Sequence, residues 1–344
     1  MRILIARTDA IGDTVLTLPM ASLLKKKFPN CQVVFLIAPK SMDLFKFHPY
    51  VDEAWPLDRN LSLLKQIVYL KKKFTGFNPT HFFYVGGSQL PSLMALYKQT
   101  PFRGGILSRW PTFLLLNKGV RQQRSGKNLH ESNYNLQLLN PLNIALDEGQ
   151  QSRHAPAIVL RKEEIDKSWS GLLSQLREKN HPCDKELIFI HPGMTGHTLN
   201  WPSINYAKLI KQLEDDNPDR FLFVLSHTPG DRRYVDEVKR YLKDICFTAN
   251  IFYFDGSVRG LRDYMGVLSR AQIYVGPSTG TTHLANVLKI KTVAIYPGRQ
   301  IQSPERWRPF NKDSDILKIM CPNDENMDSL SVEQVASEVN NFLE

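Results

Sequence analysis

Cysteine is scarce in this 344-residue chain, and its four examples, Cys31, Cys183, Cys246 and Cys321, form no Cys-x-x-Cys pair. Neither a zinc cage nor a disulfide framework is therefore expected, and a reducing cytoplasm is the compartment that fits. Long apolar runs are also missing, so no stretch approaches the roughly 20 residues that a membrane-spanning helix needs. The opening MRILIART is only a strand long and is followed by Asp9 and Asp13, which is not the pattern of a signal peptide. Helix-turn-helix, RNP and zinc-finger patterns are absent, and there is no short repeat or low-complexity tract.

The composition is that of a globular protein, and the length fits two domains of ordinary size. Charge is divided unevenly. Residues 1–180 hold 25 Lys/Arg against 13 Asp/Glu, whereas residues 181–344 hold 19 against 21. A basic first half calls for an anionic partner, either nucleic acid or an anionic membrane surface or phosphorylated glycolipid; a merely solvated basic face is the alternative. Without a nucleic-acid motif, the lipid-associated partner is the expectation.

The stretch Ile273 to Gly298 organises the second half. Ile273-Tyr274-Val275 reads as a strand and Gly276-Pro277-Ser278-Thr279-Gly280 as a turn. A helix follows with Leu284, Val287 and Leu288 at i, i+3, i+4, and Thr292 to Tyr296 reads as the next strand. Ser278 or Thr279 can cap that helix. Its N-terminal N–H groups and positive dipole end suit a phosphate, and His283 in the first turn can donate to a diphosphate oxygen. An ordinary capped β–α turn is the competing reading.

The first half repeats the alternation. Arg2 to Ala6 is a strand running into the polar loop Arg7 to Thr14, the place where open α/β sheets bind ligands. Val15 to Phe28 is helical, with Pro19 marking either a kink or a restart. Strands at 32–37 and 81–85 and helices at 61–74 and 91–99 continue the series. Residues 100–130 break it, mixing Arg103, Arg121 and Arg124 with Trp110, Phe113 and Leu114 to Leu116. That segment is either an apolar tip among cations that lies on lipid, or a buried strand at 113–116. A second alternation begins at Leu187, with strands at 187–191, 221–225, 251–254 and 273–275. Two α/β domains with mainly parallel sheets are predicted, facing each other across a central cleft.

Two segments carry a family resemblance: Ile11-Gly12-Asp13-Thr14 followed by Leu18-Pro19, and Val275-Gly276-Pro277-Ser278-Thr279-Gly280 with His283-Leu284-Ala285. Supporting matches are His191-Pro192-Gly193, Trp201-Pro202, His130-Glu131 with Asn135-Leu136, and Ser303-Pro304 with Arg306-Trp307. In their order and spacing these resemble glycosyltransferase family 9, the lipopolysaccharide heptosyltransferases, nearly end to end. The resemblance implies the GT-B fold, with an acceptor-binding Rossmann-like domain at 1–165 and a donor-binding one at 166–328. The C-terminal helix at 329–344 is expected to pack back on the first domain.

The implied reaction moves a heptose, with inversion, from ADP-heptose to a hydroxyl of the lipopolysaccharide inner core. An inverting displacement needs a base for the acceptor proton. Chemistry alone leaves Asp9 and Asp13 as candidates, and the resemblance selects Asp13. It places Ser278, Thr279, Gly280, Thr281, His283 and Thr195 at the donor, with Asp231 holding its ribose; Arg103, Arg121 and Arg124 are the acceptor candidates. With no Asp-x-Asp-like pair or His/Cys cluster where a nucleotide-bound metal would be expected, metal-independent catalysis without a cofactor is expected, at the cytoplasmic face of the inner membrane. Two departures stand out: Leu199 replaces a donor-site lysine, for which Arg299, Arg306 and His197 are substitutes, and Ser278 replaces an acidic residue. A GT-B enzyme using another sugar nucleotide such as a UDP-sugar, an epimerase, and a non-catalytic nucleotide- or glycan-binding protein are the alternatives.

Overall fold

The computed structural model describes residues 1–107, 110–124, 129–144, 156–194, 199–245, 247, 250–310, 315–323 and 326–343. It divides into two compact units, Met1–Val159 and Leu160–Glu344.

The first unit contains β1 (Arg2–Arg7), α1 (Ile11–Val15), α2 (Pro19–Lys27), β2 (Gln32–Ile37), β3 (Glu53–Pro56), α3 (Leu63–Phe77), β4 (His81–Gly86), α4 (Leu90–Tyr97), β5 (Phe102–Ile106), α5 (Thr112–Leu115), β6 (Lys118–Val120) and α6 (Glu131–Gln137). Its strands are all parallel, in the order β3-β2-β1-β4-β5-β6. β1 lies in the middle, and Ile3, Leu4, Ile5 and Ala6 are fully buried. A continuous apolar run rather than an alternating one is what a strand covered on both faces requires.

Pro19 sits in the first turn of α2, so of the two readings of residues 15–28 the restart is correct. Residues 100–130 continue the pattern instead of breaking it. They supply β5, α5 and β6, and Phe113–Leu115 is helical, not a strand. The strand order reverses after β3. Right-handed crossovers therefore put α1 and α2 on one face of the sheet and α3, α4 and α5 on the other. Contacts between α3 and α4 and between α4 and α5 agree with that placement.

The second unit contains α7 (Lys162–Glu178), β7 (Glu186–Ile190), α8 (Ser203–Asp216), β8 (Phe221–His227), α9 (Arg232–Asp244), β9 (Ile251–Asp255), α10 (Gly260–Leu268), β10 (Ile273–Pro277), α11 (Gly280–Val287), β11 (Lys291–Tyr296), α12 (Pro304–Trp307), β12 (Ile316–Met320) and α13 (Val332–Leu343). The sheet order β12-β11-β10-β7-β8-β9 repeats that of the first unit, again all parallel.

Two domain expectations are corrected. A boundary at 165/166 would cut α7, which packs on α10 within the second unit. The C-terminal helix α13 belongs to the second unit: Val335, Ala336 and Val339 are buried in its core and α13 packs on α8. Trp201 anchors that core. It is fully buried, its indole N–H donates to the Leu330 carbonyl at 3.0 Å, and its ring meets Tyr206 edge-on at 5.0 Å.

Candidate active site

Each sheet has one point where the strand order reverses, between β1 and β4 in the first unit and between β7 and β10 in the second. Ligands of doubly wound sheets bind beyond the strand ends at that point. Asp13 lies at the first of these places and the Ser278-to-His283 loop and Asp231 at the second.

At the first, β1 ends in Arg7 and β4 ends in Gly86-Gly87. Gly87 has φ +84°, and a Cβ there would lie 2.3 Å from the Thr8 hydroxyl; Thr8 also accepts from the Ser88 N–H at 2.8 Å. A side chain on Gly86 would crowd Asp9 Oδ2 at 3.0 Å and the Arg7 guanidinium at 3.1 Å. The two glycines thus leave room for a buried ion cluster.

Its centre is Arg7, whose side chain is 5% exposed. Nε donates to Asp9 Oδ1 at 2.8 Å, Nη2 to Asp13 Oδ1, and Nη1 lies 3.8 Å from Glu131 Oε1. Glu131, 1% exposed and at the start of α6, also accepts from Arg124 at 2.6 Å. Asn135 on the same helix donates to the Leu16 carbonyl at 3.1 Å, fastening α6 to the turn after Asp13.

Among the described residues, three carboxylates share two guanidinium groups here, an excess of one carboxylate. Burial acts against the charge on Arg7, yet Asp13, Asp9 and Glu131 outweigh it and raise the guanidinium pKa. Asp13 moves up from the ordinary carboxylate value: burial is the main cause, Arg7 opposes it, and Asp9 and Glu131 add to it. The Asp13 side chain remains 20% exposed, so it is reachable from solvent. A reachable carboxylate with an elevated pKa, oriented by a buried guanidinium, is suited to taking up a proton.

At the second reversal, Thr279 caps α11 in a capping box with Thr282. Thr279 Oγ1 meets Thr281 Oγ1 at 2.9 Å, and the Tyr274 hydroxyl bonds Thr281 Oγ1 at 2.7 Å. Burial pushes the Tyr274 phenol up to about 12, with the bonds from Thr281 and Thr282 opposing. It remains a neutral hydroxyl that fixes the loop. Ser278 is held by its N–H donating to the Ile295 carbonyl at 3.2 Å. The opening N–H groups of α11, at Gly280 and Thr281, precede the first intrahelical acceptors and present the positive end of the helix. His283 is only 5% exposed, more enclosed than the half-buried Thr279 and Thr281.

Asp231 sits in a hydrogen-bonded joint between two strand ends. It is 4% exposed, Oδ2 meets His191 Nε2 at 3.1 Å and Oδ1 accepts the Thr228 N–H at 2.5 Å. His191 Nδ1 in turn meets Ser226 Oγ at 2.9 Å. Burial acts to raise the Asp231 pKa, but the bonds from His191 and Thr228 prevail and hold it below the usual carboxylate value. Both oxygens help to join the β7 and β8 strand ends, so Asp231 acts there as a positioning residue. Gly193 belongs to the same joint, since a Cβ there would stand 2.6 Å from Asp231 Cβ.

The acceptor candidates separate. Arg103 donates from Nε to the Leu115 carbonyl at 2.9 Å and from Nη1 to that of Thr100 at 2.7 Å. It ties the β5–α5–β6 connection together, because helix and strand ends leave carbonyls that need donors. Arg124 belongs to the Asp13 cluster through Glu131. Arg121 is exposed and lines a cavity of about 720 Å³ with Leu107, Phe113, Gln123, Tyr134 and Gln137.

Leu199, in the lysine position, packs against the second core. Thr195 and His197 lie outside the described residues. Sequence reasoning missed Arg7 and Glu131 as site residues. The available signal was an arginine terminating an otherwise apolar strand, and an acidic residue in a quoted family match.

Known proteins share the sequence pattern and the fold. The sequence pattern of "Glycosyltransferase family 9 (heptosyltransferase)" matches residues 121–336. A Haemophilus influenzae protein provisionally named a glycosyltransferase is 24% identical, covering 99% of this chain and 96% of its own length. Among solved structures, a family 9 glycosyl transferase from Veillonella parvula superposes with a TM-score of 0.77 at 15% identity, over 99% of this chain and 97% of its own. The ADP-heptose lipopolysaccharide heptosyltransferase II of E. coli does so with 0.75 at 19% identity, over 100% and 98%. These likenesses establish the GT-B fold, with one Rossmann-like unit for each of the two sheets. Matched across most of its length by that sequence pattern, the chain belongs to glycosyltransferase family 9, the heptosyltransferase family, and is a glycosyltransferase.

Proposed function

We propose that this glycosyltransferase moves a heptose from ADP-heptose to a hydroxyl of the lipopolysaccharide inner core, with Asp13 as general base and no metal ion. The observation that carries the reading is the Asp13 carboxyl: reachable, raised in pKa and aimed by Arg7 at the reversal point of its sheet. Attack by the acceptor hydroxyl on the anomeric carbon forms the new glycosidic bond as the bond to the ADP oxygen breaks. The hydroxyl proton passes to Asp13.

The departing diphosphate gains negative charge, for which the α11 N-terminus supplies oriented N–H groups and the hydroxyls of Ser278, Thr279 and Thr281, with His283 behind them. Preorganised dipoles of this kind can take the place of a divalent cation. The likeness to the ADP-heptose enzyme supports ADP as the nucleotide. Arg121, exposed at the cavity it lines, is an acceptor-side cation in this reading. No helix among the described residues is long and apolar enough to cross a membrane, which suits peripheral attachment to the inner membrane that bears the acceptor.

The test compares Asp13→Asn with Asp9→Asn. Removing a positioned base costs about 10²–10⁴ in rate. Asp13→Asn should lose transfer by that factor while keeping ADP affinity, and Asp9→Asn should be milder. Near-normal turnover of Asp13→Asn, or a dead Asp9→Asn, would overturn the assignment. Greater thermal stabilisation by UDP than by ADP would replace the donor, and loss of activity on chelation would replace the metal-independent mechanism.

A further inference from the structure

Of the sixteen large apolar side chains that stand exposed among the described residues, ten fall within residues 61–114. They are not scattered in space. Leu63, Leu64 and Val68 are on α3, Leu93, Leu96 and Tyr97 on α4, and Trp110, Phe113 and Leu114 on or beside α5. These three helices are consecutive neighbours on one face of the first sheet. Leu64 and Val68 are one turn apart, and Lys71 and Lys72 extend their stripe along the helix. Trp110 is 72% exposed, its ring 5.0 Å from that of Phe113.

The charge of the same stretch is one-sided. Residues 59–130 contain twelve Lys/Arg and not one Asp or Glu. Lys65, Lys71, Lys72, Lys118 and Arg121 are all exposed. Exposed apolar residues on a monomer's surface usually occur singly, and a contiguous set this rich in cations marks an interaction surface. A second copy of the chain meeting it through a two-fold axis would set the same cations against each other. An anionic bilayer would not: aromatic and aliphatic side chains enter the headgroup boundary while the lysines, on their long stems, reach the lipid phosphates.

We propose that the α3–α4–α5 face is the surface by which this protein docks on an anionic phospholipid bilayer. The proposal deepens the reading of the acceptor as a membrane glycolipid, because it says which side of the first unit meets the lipid.

The experiment sediments the full-length protein with vesicles of phosphatidylcholine alone, or with about a third phosphatidylglycerol. The protein should follow the anionic vesicles only, and be released as salt rises from about 0.1 M to about 1 M. Acyl chains brominated near the headgroup should quench tryptophan emission, and Trp110→Phe should abolish most of the quenching. The double variant Leu64→Asp with Trp110→Ser should partition at least roughly tenfold more weakly while its thermal stabilisation by ADP is unchanged. Equal binding to neutral vesicles, full binding by the double variant, or a wild-type dimer that the double variant dissociates would each overturn the proposal. If ADP stabilises no form of the protein, the donor reading fails on its own, and the vesicle result is untouched.

Discussion

Arg7→Gln tests the ion cluster most directly. In the wild type the guanidinium is buried among Asp9, Asp13 and Glu131, and Arg124 is the second cation of the cluster among the described residues. Removing it raises the local carboxylate excess from one to two and takes away the interaction that opposes the elevation of the Asp13 pKa. A cation within about 4–6 Å ordinarily lowers a carboxyl pKa by about 1–3 units. The acid limb of kcat/KM for sugar transfer should therefore move up by about 1–3 pH units, since a protonated Asp13 cannot accept the acceptor's proton.

Stability responds with a definite sign. A folded-state carboxyl pKa above its unfolded value contributes stability that is present below the unfolded value and is lost as pH rises through the folded one. In the variant this region extends further upward. Breaking a buried pair costs about 3–5 kcal/mol, which for a protein of two such units corresponds to a fall of very roughly 6–20 °C in Tm near neutral pH. The deficit should narrow as the medium is acidified, because protonation relieves the unpaired carboxylates. Arg7→Lys, which keeps the charge, should hold the acid limb near that of the wild type. Calorimetry across pH and a transfer assay across pH are the measurements. An Arg7→Gln enzyme whose acid limb has not moved would show that Arg7 does not govern Asp13, and the account of the base would fail.

Other expectations follow from single contacts. His283→Ala should weaken ADP binding by about 1–3 kcal/mol with little change in the Tm of the free protein; a lower free Tm with an intact ADP shift would mark His283 as packing alone. Gly87→Ala should cost on the order of 1–3 kcal/mol in unfolding titrations, from the positive φ and the Thr8 contact at 2.3 Å, and an unchanged midpoint would show that the β4 turn can yield. Asp231→Asn should lower Tm without removing nucleotide selectivity, because the carboxylate joins His191 and Thr228; a switch of preferred nucleotide would mark it as a ligand.

Much of this was legible in the residues, for physical reasons that differ from element to element. β1, β10 and β11 are unbroken apolar strands, and such runs bounded by glycine and polar turns have few other solutions. Asp13 and the Ser278-to-His283 loop were visible because doubly wound sheets bind at strand ends, and the family resemblance chose between Asp13 and Asp9. β5, β6 and β12 were not read as strands. Each is short, and the sequence Arg103-Gly104-Gly105 in β5 lacks the β-branched signature that a strand usually carries. Phe113 to Leu116 could be read either way because four apolar residues suit a strand or one helical turn equally.

Taken alone, the sequence determined what depends on order along the chain. This covers the α/β alternation, the two-domain size, the capped helix after Pro277, the basic first half, and the family, since all are properties of local pattern or of motifs in series. Only the tertiary structure decided which charges meet. Arg7 and Glu131 are 124 positions apart and come within 3.8 Å because α6 closes over the turn after β1. The same distinction gave Arg103 and Asp231 intramolecular partners, nearby carbonyls for the one and His191 and the Thr228 N–H for the other. It also set α3, α4 and α5 side by side, turning separate exposed leucines and lysines into one surface. A buried charge must find its partner wherever the fold brings one, and sequence distance carries no information about that encounter.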